Sequence, residues 1–181
     1  MRSLTAPLLL AMCLVSGAPV VHHARAQTSP EVIRDPSRLP EPVARMRQAI
    51  LSAAMSGDVE AMRVAIDMNE LPPSFGAKVA DPVAHWRKLS ADGEGREILA
   101  ALVEILRTGF VKKPDGKAGE MFVWPYFAET PLKDLTPGQR VELMTIVPAA
   151  DAKRMIEAGQ YTHWRLGVSS TGVWHVFDKA E

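Results

Sequence analysis

The chain has 181 residues, 21 Lys plus Arg against 21 Asp plus Glu, no formal net charge, 47% hydrophobic residues and a single cysteine. A surface of mixed sign offers no electrostatic footprint for nucleic acid or an anionic membrane, so no nucleic-acid partner is expected. The length suits one domain with a sizeable core and would crowd two.

Arg2 supplies a positive start, residues 8–21 an apolar stretch softened by Ser16, Gly17 and Pro19, and Ala24-Arg25-Ala26 a small-residue cleavage site. Residues 1–26 therefore read as a secretory signal peptide, and a periplasmic or secreted location is expected. The apolar stretch falls short of the roughly 20 residues a membrane span needs, and no second one follows, so no transmembrane segment is expected after cleavage. Cys13 lies inside the stretch behind Met12, where a lipid-attachment signal wants a small residue, so it reads as an ordinary apolar position. Cleavage removes this only cysteine, and the mature domain must be stabilised by packing without a disulfide.

Residues 27–40, punctuated by Pro30, Pro36 and Pro40, carry no hydrophobic period and read as a flexible linker. Residues 41–181 then form the domain. Pro42 opens a helix with Val43, Met46, Ile50 and Ala54 on one stripe, ending at Gly57. Asp58 caps a second helix through Val59, Met62, Ala65 and Ile66. The string around Gly57-Asp58 looks like the middle of an ankyrin repeat, but no second copy follows at the expected period, so it reads as a tight turn between helices. Asp81-Pro82 starts a short helix carrying His85 and Trp86, in which His85 reads as a packing or capping residue rather than a ligand. Residues 97–108 place Ile98, Leu99, Leu102, Val103, Ile105 and Leu106 around most of a helix, which must be covered on more than one side, with Gly109 as its C-cap.

From Phe110 the period changes. Phe110-Val111 and Met121-Phe122-Val123-Trp124 flank the turn Lys113-Pro114-Asp115-Gly116 and predict a hairpin. Thr136-Pro137-Gly138-Gln139 is a capping box, a further helix spans residues 149–158, and Gly159 stops it. A closing hairpin pairs residues 161–168 with residues 173–177. The fold class is α+β, with a helix-rich N-terminal part packed on a small antiparallel sheet of C-terminal hairpins.

In the closing hairpin, a three-residue loop Ser170-Thr171-Gly172 puts Gly172 in the left-handed region and pairs Ser169 with Val173. Trp164, Leu166, Val168, Trp174 and Val176 then share one face, and Tyr161, His163, Arg165, His175 and Phe177 the other. A four-residue loop would instead bury His175, and it segregates polar from apolar less cleanly. Histidine titrates near neutrality and arginine clamps carboxylate or phosphate, so Tyr161, His163, Arg165 and His175 are the candidate ligand-binding residues. The competing expectation is a solvated or helix-covered face with its histidines satisfied by a carbonyl or by Asp178.

Other motifs fail on spacing. Gly167 to Gly172 is one residue too long for a nucleophile elbow and leads into a strand. The histidines of the mature chain never stand at metal-ligand spacing, and Asp92-Gly93-Glu94-Gly95 lacks the twelve-residue calcium pattern. No metal and no cofactor is expected, and catalytic residues stay unassigned.

Met121-Phe122-Val123-Trp124-Pro125-Tyr126-Phe127, Leu135-Thr136-Pro137-Gly138-Gln139-Arg140-Val141, and Tyr161 through Trp174-His175-Val176-Phe177 together resemble a family of small exported bacterial proteins of uncharacterised function. The resemblance covers most of residues 43–178. Its sharpest motif is the closing Arg-Leu-Gly, serine-rich turn and Gly-x-Trp-His element, where this chain has Ser170-Thr171-Gly172 in place of the Pro-Asp-Gly often found. It implies an exported α+β domain and no known activity.

Two function classes follow. The favoured one is a non-enzymatic periplasmic binding or interaction domain for an envelope protein or a small-molecule ligand, using the aromatic strip Phe122, Trp124, Tyr126 and Phe127 if that strip is exposed. The alternative is a periplasmic enzyme or anion-binding protein centred on His163, Arg165 and His175. A concave pocket reaching those three side chains favours the second class.

Overall fold

The structure is a computed structural model and describes residues 30–69, 71–76, 79–116 and 119–180. Residues 1–29, which include the segment read as a signal peptide, lie outside the described residues. The domain is α+β, built on a four-stranded antiparallel sheet of order β1-β2-β3-β4, with β1 Val111–Pro114, β2 Glu120–Trp124, β3 Trp164–Ser169 and β4 Trp174–Lys179. Both expected hairpins are present, the first turning later than expected, because Lys113 and Pro114 belong to β1 and pair with Met121 and Glu120. Pro114 faces Glu120 beside the first turn, and Gly172 closes the second at φ +86° with its N–H donating to Ser169 O at 2.8 Å.

Four helices precede the sheet: α1 Glu41–Met55, α2 Met62–Asp67, α3 Pro82–Leu89 and α4 Arg96–Arg107. Two follow β2, α5 Pro137–Ile146 and α6 Ala149–Ala158. Their boundaries follow local chemistry. Asp81 accepts from the backbone of Val83 and Ala84 to start α3, and the Thr136/Gln139 capping box forms in both directions on α5. Gly159, at φ +78°, ends α6. The close of α4 departs from expectation: Thr108 is its C-cap, its hydroxyl donating to Ile105 O, while Gly109 serves a close approach to Ile33 O.

Side chains alternate across the sheet, and both faces are covered. Phe110, Phe122, Trp124, Leu166, Val168, Trp174 and Phe177 point to a core shared with α1–α4, including the fully buried Leu102. Val111 and Val123 point the other way, to a second core of Tyr126, Phe127, Leu132, Leu143, Ile146, Met155 and Tyr161 under α5 and α6. The strip Phe122, Trp124, Tyr126 and Phe127 is therefore buried, at most 1% exposed, and supplies both cores rather than an open binding surface. Phe122 and Trp124 share one face of β2, and the chain then turns through Pro125 into a short 3-10 helix, Tyr126–Glu129, that carries Tyr126 and Phe127 to the other side.

The stretch read as a linker is packed where it is described. Ile33, 3% exposed, exchanges two 2.8 Å backbone hydrogen bonds with Phe110. Arg34 donates to Glu142 at 2.9 Å and lies over the Tyr126 ring. Docking one apolar side chain between prolines leaves no period for a sequence reading to detect.

Candidate functional site

The closing hairpin keeps the expected register from Ser169 opposite Val173 through Val168 opposite Trp174, then slips by one residue. Gly167 faces Val176 and Leu166 faces Phe177, so His175 is the extra residue of a β-bulge. The slip corrects the expected faces. Phe177, fully buried, joins Trp174 in the first core, and Val176 turns to the opposite side against Gly167. Outside β4 the bulge is held by Asn69 and Ser74: Asn69 Oδ1 accepts from Trp174 N at 2.9 Å, Ser74 N donates to His175 O, and Phe177 N donates to Ser74 O.

The slip separates His175 from the other three candidate residues. Tyr161 is 3% exposed, stacks on Phe127 and donates its hydroxyl to Trp164 O at 2.8 Å, with burial pushing the phenol well above its usual pKa. His163 is half-buried, its ring 6.5 Å from those of Tyr161 and Trp164. Burial first, and then the charge of Lys179, holds its imidazole below the ordinary histidine pKa, with Asp151 opposing. Arg165 faces Asp178 across the strands, Nε to Oδ1 at 2.8 Å. His175 is exposed on the bulge, three residues along β4 from Asp178, a span of roughly 10 Å. The Tyr161 and His163 rings remain in contact, Arg165 is held by Asp178, and His175 stands apart.

Lys179, opposite Trp164, organises what is left. Its Nζ lies 5.4 Å from the Trp164 ring centroid, and that ring stacks on Phe177 at 4.8 Å. Two clefts meet at this lysine. One, of about 320 Å³, runs under α6 between Asp151, Arg154, Thr162, His163 and Lys179. The other, of about 720 Å³, opens at the end of β4 between Phe75, Leu89, Trp164, Arg165, Asp178 and Lys179. Of the four tryptophans, Trp86, Trp124 and Trp174 are at most 1% exposed, whereas Trp164 is only half-buried and walls the larger cleft.

Sequence reasoning missed Lys179, Phe75 and Leu89. The bulge brings Lys179 opposite Trp164, and Phe75 and Leu89 arrive from distant segments. A lysine near the end of a predicted strand was the only available signal.

Among the described residues no group of three or more His, Asp or Glu is placed to hold a metal ion. No helix among them is long and apolar enough to cross a membrane. The arrangement is a half-open aromatic wall with a lysine at its edge and two flanking ion pairs, Arg165–Asp178 and Arg154–Asp151. No family model, no curated protein and no solved structure matches the chain.

Proposed function

We propose that the protein is exported to the periplasm and binds a small ligand there without transforming it, in the larger cleft at Trp164 and Lys179. The observation that carries this reading is Trp164. In a domain that buries its other tryptophans completely, this one stays half-open at the wall of a groove large enough for a small organic molecule. Export is supported by the charged, apolar and small-residue order of residues 1–26, and by the resemblance to small exported proteins.

Two measurements test this. Intact mass of the protein recovered from the periplasm should begin at Gln27 without a lipid on any residue. Native mass spectrometry of that protein should show a non-covalent small-molecule adduct that is released unchanged and is lost in Trp164→Ala. A cytosolic protein retaining residues 1–26 would end the export reading, and an adduct that persists in Trp164→Ala would move the binding site elsewhere.

A further inference from the structure

We propose that the groove between Trp164, Phe75 and Leu89 selects a small organic monocarboxylate with an apolar body, the carboxylate seated on Lys179. The inference rests on the binding reading above and names its ligand class.

The charge pattern supports an anion. Among the cations that line the two clefts, Arg165 is committed to Asp178 and Arg154 to Asp151. Lys179 also lines both clefts, yet no acidic side chain among the described residues lies within ion-pair distance of it. It is held over the Trp164 ring instead, a placement that leaves the ammonium open to a further partner. A cationic ligand would meet this charge unfavourably, and a neutral one would leave it unpaired.

The number of unpaired charges argues for a single negative charge. Burial and Lys179, against the opposing pull of Asp151, hold His163 toward its neutral form, and Arg154 is paired with Asp151, so the neighbouring cleft adds no second unpaired cation. A phosphate dianion would bring two charges to one ammonium. The walls argue for the rest of the molecule. Phe75 packs edge-on against Trp86 at 5.2 Å and Leu89 is 50% exposed, so an aromatic or aliphatic body covers apolar surface that an inorganic ion leaves wet.

The test uses phenylacetate, 2-phenylethanol as its uncharged analogue, and inorganic phosphate, followed by tryptophan fluorescence and by melting temperature. Phenylacetate should bind and raise the melting temperature, and 2-phenylethanol should bind about tenfold or more weakly, because a hydrogen bond to a charged group is lost. Lys179→Met should remove that preference while Lys179→Arg retains it. Equal binding of acid and alcohol, equal binding by Lys179→Met, or phosphate binding tighter than phenylacetate would overturn the inference. If no carboxylate binds but native mass spectrometry shows a different small molecule lost in Trp164→Ala, the carboxylate inference falls and the binding reading stands. If neither binds, both fall.

Discussion

The two faces of the sheet are built from the same four strands and meet different partners. The face toward α1–α4 is aromatic: Trp86, Trp174, Phe75 and Phe177 form a continuous set of edge-on and tilted contacts between 5.2 and 6.4 Å. The face toward α5 and α6 is built from smaller aliphatic residues with Tyr126, Phe127 and Tyr161, and α5 leaves Val141 and Met144 at 65% and 48% exposure. Neither core is covered completely: the aromatic one leaves the larger cleft at Phe75, Leu89 and Trp164, and the smaller one leaves the cleft at His163. The clefts lie where covering is incomplete, at the ends of β3 and β4.

The sharpest way to break this comparison is in the aromatic core. Trp174→Ala removes a fully buried ring and its Nε1 donation to Val176 O, and should cost about 3–5 kcal/mol in urea melts. Leu102→Ala, at 0% exposure on α4, should cost about 2–5 kcal/mol. An unchanged midpoint in either variant would mean that this face does not carry the domain.

On the second face Gly167 gives a finer probe. A Cβ there would lie 2.8 Å from both Met121 Sδ and Val176 Cγ1, so Gly167→Ala should lose about 1–3 kcal/mol by overpacking. A neutral result would show that this face has slack that the first lacks. The loop is comparably sensitive. Gly172→Ala combines a positive φ with a 2.8 Å approach to Pro42 O and should cost about 1–2 kcal/mol from the left-handed conformation alone. Val141→Gln with Met144→Gln should each move stability by no more than about 0.5 kcal/mol if α5 faces only water.

The smallest effect is a pH dependence at His163. Its folded pKa is lowered, so the unfolded chain binds the proton more readily and the stabilising contribution is complete above the unfolded value. It declines as pH falls below about 6.5 and through the folded pKa. Urea midpoints of wild type and His163→Gln should therefore diverge only on the acidic side, wild type losing more. Parallel pH profiles would place the imidazole in water and remove it from the cleft wall.

Some of the fold can be read directly from the chain because its causes are local. The α5 capping box, the Asp81 cap and the Gly172 turn each depend on a few adjacent residues, and the structure forms all three. The apolar girth of residues 97–108 likewise placed Leu102 in the core. The aromatic strip at residues 122–127 shows where such reading stops. Its composition announced a site or a core without distinguishing them, because the distinction rests on helices elsewhere in the chain.

The sequence by itself determined the α+β class, the hairpin turns and the central helix, since periodicity, caps and positive-φ glycines act over one or two turns of chain. Tertiary structure alone decided the docking of Ile33, the bulge at His175 and the meeting of Trp164 with Lys179. A one-residue slip in β4 costs little locally when Asn69 and Ser74 supply replacement hydrogen bonds, yet it turns every later side chain to the opposite face. That slip puts Phe177 in the core, His175 in solvent and Lys179 at the junction of the two clefts.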